Sequence, residues 1–383
     1  MPTPPPLPTG TTDTDALNDH RFPCDSCGGA MRFSPAQQQL ICDHCGNTKP
    51  VSAAQEGLWG AGSSIPEMDF KSALRKQIPD ADLESTQVTK CANCGASVEF
   101  DPAIHAAECP FCATPIVSDT GVDRHIKPRG ILPFMLDEPS ARDAVGQWMG
   151  SLWFAPNRLK RDSRRHRKMD GIYIPYWTFD AQTESRYAGE RGVVYYETRY
   201  VIRDGKRQAV QVAKVRWSPA RGRVARFFDD VLVLASRSLP KQFTDALQPW
   251  DLSRLSPYNA EFIAGMRAEA YTVELDEAFN EARGYMDRVI ERDVRFDIGG
   301  DRQRIHQLKT EVSDIRFKHI LLPIWVAAYR YRGKSYRFVV NGQSGRVQGE
   351  RPYSAIKIAL AVLAALALAA TIGYVYAMNQ GGM

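Results

Sequence analysis

Two pairs of C-x-x-C motifs, separated by fourteen residues, constrain this chain more than any other feature. The first frame runs from Cys24 to Cys45 and reads CDSCGGAMRFSPAQQQLICDHC. The same frame returns 67 residues later, from Cys91 to Cys112, as CANCGASVEFDPAIHAAECPFC. All eight cysteines of the chain fall in these frames, so metal-ligand spacing explains the even count better than disulfides do. The sequence predicts a duplicated metal-binding module.

Four thiolates from two tight turns form the tetrahedral shell that Zn²⁺ accepts, and such sites are normally structural because no position stays open for water. We expect two structural Zn²⁺ ions in a reducing compartment. Rubredoxin-like iron uses the same turns and is the alternative, although the frames lack the aromatic surroundings that would favour it. His44 and His105 lie inside the frames, but we expect neither to be a ligand. The predicted metal ligands are Cys24, Cys27, Cys42, Cys45, Cys91, Cys94, Cys109 and Cys112.

The C-terminal region contains an uncharged apolar run, IALAVLAALALAATIGYVYAM, from Ile358 to Met378. Its length is close to the roughly 20 residues that span a bilayer. A buried helix of a soluble domain is the alternative, but such helices rarely carry so long a charge-free run. Arg351 and Lys357 precede the run and no Lys or Arg follows it. The positive-inside rule therefore predicts a single-pass protein of the inner (cytoplasmic) membrane with its N-terminal bulk in the cytoplasm.

Composition shifts divide the chain of 383 residues into segments. The start is rich in Pro, Thr and Asp and lacks a signal peptide pattern, whereas MDFKSALRKQI suggests a short helix between the cysteine frames. We expect small zinc ribbons followed by an α+β domain with antiparallel sheet and one transmembrane helix. The predicted segments are a disordered lead (1–21), zinc ribbon 1 (22–48), a linker with a short helix (49–89), zinc ribbon 2 (90–118), the α+β domain (119–353), the transmembrane helix (354–378) and a tail (379–383).

Inside the α+β domain, two stretches show helical spacing of apolar residues. They are EPSARDAVGQWMGSLW, with Ser140 as a cap candidate, and ELDEAFNEARGYMDRVI. Strand-like runs rich in β-branched and aromatic residues are bounded by Gly and Pro, and Asn341–Gly342 is a turn signal. These runs are GIYIPYWTFDA, GVVYYETRYVIR, QAVQVAKVRWSP, FDDVLVLAS, HILLPIWVAAYRYRG and KSYRFVVNGQSGRVQG.

A basic cluster, RLKRDSRRHRK, is the densest charge run in the chain. It is either a solvated segment, a contact for anionic lipid headgroups or a nucleic-acid patch. The formal net charge of +5 is too small to indicate nucleic acid by itself. Because the apolar run already places the domain near a bilayer, lipid is favoured over nucleic acid. The basic residues are Arg158, Lys160, Arg161, Arg164, Arg165, Arg167 and Lys168.

Signatures of common enzymes are missing from the sequence. Gly333–Ser335 lacks the upstream glycine of a phosphate loop, and no H-E-x-x-H, G-x-S-x-G or dinucleotide fingerprint occurs. Two acidic pairs, Asp229 with Asp230 and Asp297 with Asp301, are of a type that holds a cation or a substrate hydroxyl, yet carboxylates at turns usually cap or face solvent. We therefore predict no catalytic residue and no small-molecule substrate.

Several segments together resemble a family of bacterial membrane-anchored zinc-ribbon proteins of the TFIIB type. They are FPCDSCGG, WFAPNRLKR, YIPYWTFDA, FDDVLVLAS, QPWDL, DIGGDRQRI, FKHILLPIWVAAYRYRGK and VVNGQSGRVQGERPYS. Members are often labelled primosomal protein N′ (replication factor Y) or superfamily II helicase by their cysteine segment. The motor motifs are absent here, so the resemblance implies only the eight cysteine ligands. In layout the chain is also similar to the zinc-ribbon partner of phage-shock protein A and SPFH-domain (flotillin-like) proteins, which implies recruitment of a protein partner to the membrane.

These features predict an adaptor or scaffold that docks a protein partner, such as a stress or flotillin-like membrane protein, at the cytoplasmic membrane face. One alternative is a membrane-held nucleic-acid-binding protein of replication or transcription. A third is an enzyme of unrecognised class in the α+β domain.

Overall fold

The computed structural model describes residues 22–51, 65–99, 106–112, 114–117, 121–152, 169–203, 206–331, 334–350 and 354–380. The predicted disordered lead and the whole basic cluster 158–168 lie outside these ranges. His105 also lies outside them.

Strands dominate the described part of the chain, and helices are few. The strands are β1 Met31–Ser34, β2 Gln39–Cys42, β3 Thr48–Pro50, β4 Met68–Asp69, β5 Leu83–Lys90, β6 Ser97–Glu99, β7 Ala106–Glu108, β8 Pro115–Val117, β9 Gly121–Ile126, β10 Gly130–Ile131, β11 Asp170–Arg203, β12 Lys206–Leu234, β13 Ser256–Pro257, β14 Arg267–Ala268, β15 Arg302–Tyr331, β16 Lys334–Asn341 and β17 Val347–Gly349. The helices are α1 Phe70–Leu74, α2 Glu138–Ser151, α3 Lys241–Ala246, α4 Leu275–Ile298 and α5 Ala355–Gln380.

Three very long strands form the centre of the molecule in the order β12-β11-β15, and each of the three is antiparallel to the next. They contain 29, 34 and 30 residues, so β11 alone would extend over about 110 Å at about 3.3 Å per residue. The short strands β10 and β14 add parallel pairs to β15 and β11. The fold is therefore sheet-rich and mainly antiparallel, as predicted, with more strand and less helix than an even α+β mixture.

The two faces of the central sheet carry different cores. Ile172 and Ile174 of β11 point to one face, where they pack with ribbon 2 residues. Tyr173, between them, points to the other face and packs with ribbon 1 residues. Since side chains alternate along a strand, consecutive residues of β11 contact opposite ribbons. The two cysteine modules thus cover opposite faces of one sheet.

Helix α4 covers the ribbon 1 face further along the same strands. Its buried positions repeat every three or four residues, and they pack against Ala181 and Tyr187 of β11. The helix ends at Gly299, whose φ of 65° lets the chain turn into β15. The helix predicted from the apolar spacing is present. Its buried residues are Leu275, Ala278, Ala282, Met286, Ile290, Val294 and Ile298.

Helix α2 is also where the sequence places it, but its cap differs from the prediction. Asp137 is the N-cap, and its Oδ1 accepts a hydrogen bond from the backbone N–H of Ser140 at 3.0 Å. Ser140 is therefore the partner of the cap. Ala141, Val145 and Met149 bury one side of the helix.

Helix α5 is the apolar C-terminal segment. From Ile356 to Tyr374 it is long and apolar enough to cross a membrane, and none of this stretch is buried against the rest of the described chain. An apolar helix without protein contacts would expose its whole surface to water, which is the situation that a bilayer relieves.

Gly189 marks a point where strands approach closely. A Cβ placed on Gly189 would lie 2.1 Å from the backbone oxygen of Arg304, next to the register shift between Ala188 and Gly189. Backbone atoms of two paired strands cannot move apart without breaking the ladder.

We expect Gly189→Ala to lower the free energy of unfolding by about 2–4 kcal/mol. The matched control is Gly284→Ala, because a Cβ on Gly284 in the middle of α4 meets nothing within 4 Å. That change should raise the free energy of unfolding by about 0.5–1 kcal/mol. Chemical unfolding in detergent measures both values. An equal effect of the two substitutions would contradict the close approach.

Candidate metal centres

The sulfur atoms of the first cysteine frame form a compact group. Cys24 Sγ lies 3.6 Å from Cys45 Sγ, and Cys27 Sγ lies 3.6 Å from Cys42 Sγ, with all four atoms within 4.8 Å of one another. A disulfide would need about 2.05 Å. A tetrahedral ion with metal–sulfur bonds of about 2.3 Å requires sulfur atoms about 3.8 Å apart. The group therefore fits a metal ion and does not fit disulfides.

The second frame repeats this geometry. Cys91 Sγ lies 3.6 Å from Cys112 Sγ, and Cys94 Sγ lies 3.6 Å from Cys109 Sγ. The environments differ, however, because Cys27 and Cys45 of the first frame are exposed whereas no cysteine of the second is. Both groups of four predicted ligands are brought together as the spacing indicated. His44 is in neither group.

Each cysteine pair sits on a turn that we call a knuckle, in which backbone N–H groups point at sulfur. The backbone N–H of Ser26, and after it that of Cys27, lowers the pKa of Cys24 to about 6. The N–H groups of Cys45 and His44 lower the pKa of Cys42 in the same way. Gly28, Gly46 and Gly95 follow their cysteine pairs with φ of 71°, 74° and 76°, which glycine adopts without strain. The turns thus favour thiolates, the form that binds metal.

Both cysteine modules pack against the rest of the described chain. In ribbon 1, Phe33 is fully buried, stacks edge-on against Phe262 at 5.3 Å and donates its backbone N–H to the oxygen of Ala264 at 2.8 Å. In ribbon 2, Ala270 donates its backbone N–H to the oxygen of Ser97 at 3.0 Å. Both ribbons therefore dock onto one segment, residues 262–270.

The contact of ribbon 2 includes a buried carboxyl group. Glu269 accepts hydrogen bonds from the hydroxyls of Ser236 at 2.8 Å and Ser238 at 3.0 Å. Burial raises the pKa of Glu269 to about 8, so it is mainly protonated at neutral pH. A neutral acid here avoids a buried negative charge close to the thiolates of the second frame.

A cleft of about 350 Å³ opens between ribbon 2 and the body of the molecule. Its lining includes Cys94 and Cys112 of ribbon 2 together with Arg237 and Arg337 of the body. A divalent ion with four thiolates would carry a net charge of −2, and the guanidinium groups that line the cleft counter such a charge in part, because each of them also pairs with a carboxylate. Arg337 pairs with Glu350 at 3.4 Å. Arg237 also pairs with Glu277 at 2.5 Å.

The turn after β16 has the knuckle geometry without cysteine. Gly345 donates its N–H to the oxygen of Asn341 at 2.9 Å and has a φ of 74°, as in the cysteine turns. The side-chain oxygen of Asn341 accepts from the N–H groups of Gln343 and Ser344 at 2.8 and 2.9 Å, where a thiolate would. The turn signal at Asn341–Gly342 therefore marks the start of a loop that ends at Val347.

Of the acidic pair Asp229–Asp230, Asp230 joins an ion-pair cluster around the buried Lys318, whereas Asp229 is exposed. Oxygens of the pair lie within 4.8 Å of Asp180, a spacing that a cation would accept, but Lys318 Nζ is 2.8 Å from Asp230 Oδ1 and 3.1 Å from Glu67 Oε1. Burial, and then a hydrogen bond with Glu67, raises the pKa of Asp180 to about 7. The lysine therefore already supplies positive charge at this place.

The other acidic pair is not a joint site. Asp297 Oδ2 accepts a hydrogen bond from the hydroxyl of Tyr187 at 2.6 Å, and Asp301 Oδ2 accepts one from the backbone N–H of Val194 at 2.7 Å. Each carboxylate has its own structural partner, in agreement with a capping role.

Sequence reasoning missed a buried group of aromatic and imidazole rings around His319. Its Nδ1 donates to the oxygen of Ile126 at 2.8 Å, while Nε2 is buried without a hydrogen-bond partner in the described chain. The rings of Trp177 and Tyr271 lie 5.0 and 5.5 Å away. Burial, more than any other influence, lowers the pKa of His319 to about 4. No motif marks this site, since its members come from distant parts of the chain.

Comparison with known proteins gives one relevant relative. The chain is 24% identical over 238 residues, 61% of its own length and 67% of the relative's, to "Uncharacterized protein YdjG" of Bacillus subtilis (strain 168). No family model matches the chain. No solved structure matches it either.

The assignment of four cysteine ligands to each ion predicts how the metal content responds when one cysteine is replaced. Cys45→Ser and Cys109→Ser should each lower the metal content from two ions to one per chain, because three ligands bind far more weakly than four. Cys109→Ser should lower the unfolding temperature more, since Cys109 is buried in the sheet core and Cys45 is exposed.

Elemental analysis and thermal unfolding measure the two effects. The control is Ser26→Ala, because the backbone of Ser26, and not its side chain, faces the sulfur. Retention of both ions in the cysteine variants would contradict the four-ligand assignment.

The buried position of His319 among aromatic rings predicts that the stability of the fold depends on pH. A lowered pKa means that the folded chain resists protonation of His319, whereas the unfolded chain protonates near pH 6.5. Stability should be greatest above about pH 6.5 and should fall by up to about 3 kcal/mol as the pH drops to about 4. The difference in unfolding free energy between the wild type and His319→Phe, measured across this range, isolates the effect. His306→Gln, at an exposed position of the same strand, should keep the wild-type slope.

Proposed function

We propose that the chain is a non-catalytic adaptor, anchored in the cytoplasmic membrane by its C-terminal helix, that docks a protein partner at the cytoplasmic face. In this proposal the two ions are structural zinc. The observation that carries it is the pair of closed four-cysteine groups packed into the cores of the sheet. With every ligand position occupied by a thiolate, neither ion has a place for water or substrate.

The exposed helix α5 supports the membrane part of the proposal, because its apolar surface has no protein cover in the described chain. Lys357 lies at the start of the helix, which favours a cytoplasmic location for the preceding domain. The cleft beside ribbon 2 supports the docking part. It combines a polar ribbon edge at Asn93 with Arg237 and Arg337, and it is open to solvent.

Affinity purification of the full chain from detergent-solubilised membranes tests the proposal. We expect recovery of a membrane-associated protein partner, and we expect that recovery to fail when Cys91 and Cys94 are both changed to Ser, because ribbon 2 then loses its metal and the wall of the cleft. The matched control changes Cys24 and Cys27 to Ser, which removes the other metal and leaves the cleft residues unchanged.

Equal loss in both double variants would show general unfolding and not a docking role for ribbon 2. Salt-sensitive retention of DNA or RNA by the full chain, without a protein partner, would overturn the proposal in favour of a nucleic-acid-binding protein.

A further inference from the structure

The outer parts of β11 and β12 project beyond the rest of the sheet. We call this two-stranded unit, Val193–Arg203 with Lys206–Arg216, the arm. Strand β15 begins at Arg302, which pairs with Gly192, so no strand pairs with β11 on that side from Val193 onward in the described chain. The carboxylate of Asp301 accepts the N–H of Val194 at the base of this edge. Helix α4 ends at the same level, at Ile298. The arm therefore has neither a third strand nor a covering helix.

An arm of this kind is poorly stabilised by itself. The side chains of Tyr196, Tyr200 and Ile202 are 68%, 61% and 81% exposed. Two-stranded hairpins are marginally stable in water, and a third strand normally supplies the missing pairing.

The two edges of the arm differ. The edge formed by β12 carries the exposed Arg207 and Arg216, and exposed basic residues are a common protection against edge pairing. Lys214 of the same strand pairs with Glu197 of β11. The edge formed by β11, VVYYETRYVIR, contains no Lys, Pro or Gly, and its register with β12 has no bulge. The β11 edge is therefore open to another strand.

We propose that the β11 edge of the arm pairs with the same edge of a second copy of this chain, antiparallel and centred on Thr198. The sequence around Thr198 is self-complementary. Glu197 of each copy then lies opposite Arg199 of the other, and Tyr196 lies opposite Tyr200. The further opposed pairs are Tyr195 with Val201, Val194 with Ile202, and Val193 with Arg203.

The charges select this register. A two-fold axis perpendicular to the sheet leaves the same face of both strands on the same side of the joint sheet. The axis then lies midway between two copies of one residue, so each possible register is defined by the residue that pairs with its own copy. Centres at Glu197 or Arg199 would place two like charges opposite each other, which destabilises a sheet. The centre at Thr198 makes two opposite-charge pairs and uses all eleven residues of the edge. A centre further from Thr198 would leave fewer residues of the β11 edge paired.

In this pairing the second copy lies beside β11 on the side where β15 pairs with it up to Gly192. About eight backbone hydrogen bonds would form across the new junction, because the N–H of Val194 in each copy already donates to Asp301. Four tyrosines would form one row on its uncharged face. The same two-fold axis leaves α5 of both copies on one side of the sheet, so both helices can enter one membrane. Confinement there raises the effective concentration of the edges for each other.

A polyanion is the competing occupant, because the arm carries six Lys or Arg and a single acidic residue, Glu197. Four of those basic residues lie on β12, away from the open edge, and Glu197 lies within one residue of its centre. The edge itself therefore fits a copy of itself better than a phosphate backbone.

Cysteine cross-linking of the full chain in native membranes tests the proposal. Two Thr198→Cys copies would place their Cα atoms about 4.5–5.5 Å apart, within disulfide range. The control is Gln211→Cys, which pairs with Thr198 on the same face of the arm. Its two copies would be about 14 Å apart across three strand spacings. Mild oxidation should give a covalent dimer band several-fold stronger for Thr198→Cys than for Gln211→Cys or the wild type.

Charge complementation supplies a second readout. Glu197→Arg alone and Arg199→Glu alone each place like charges at both central pairs, so each should lose co-purification of two differently tagged copies. Co-expression of one variant with the other restores both opposite-charge pairs and should restore co-purification. Equal cross-linking at residues 198 and 211, or failure of the mixed pair to recover, overturns the proposal, as does arm-dependent nucleic-acid binding without cross-linking.

Discussion

The pairing of β11 with β15 is the interaction on which the rest of the structure depends. Over Asp170–Asp180 the two strands bury both of their faces, which is unusual for an antiparallel sheet and requires a cover on each side. The covers include the two cysteine modules and, on the ribbon 1 face near Trp177 and Phe179, helix α4. Modules of this size cannot build a sufficient core of their own, and a metal ion supplies the missing stability. The metal sites are therefore supports for the sheet as much as units of their own.

The Asn341 turn shows which part of a knuckle needs metal. The turn keeps its backbone hydrogen bonds and its glycine with a side-chain amide in place of a thiolate, so the turn itself is a property of the backbone. Two knuckles must then be held face to face, and this is the step that four thiolates and an ion perform. The same view explains why the duplicated frames tolerate different surroundings, exposed for Cys45 and buried for Cys109.

Local patterns were sufficient for the cysteine groups, for helices α2 and α4 and for the apolar C-terminal helix. They failed for the length of the strands. GIYIPYWTFDA and GVVYYETRYVIR look like two strands, yet β11 runs through both, because Thr183, Ser185 and Tyr187 of the polar stretch between them are buried and alternate with exposed residues. Pro219 suggests a break in β12 but lies within it, since a proline at a sheet edge has no inward hydrogen bond to lose. The buried clusters around Lys318 and His319 depend on partners far apart in sequence, which no local pattern shows.

Strand length also determines where the apolar helix α5 lies relative to the arm. Strand β17 runs from Val347 opposite Val340 to Gly349 opposite Phe338, and Phe338 pairs with Ala327, at the level where β11 begins. The chain therefore leaves the sheet toward α5 at one end, while the arm lies at the other end of the same strand. Since a strand cannot shorten without losing its ladder, the sheet keeps α5 and the arm a fixed distance apart. In the proposed function, this separation would set the distance between the arm and the point where α5 enters the membrane.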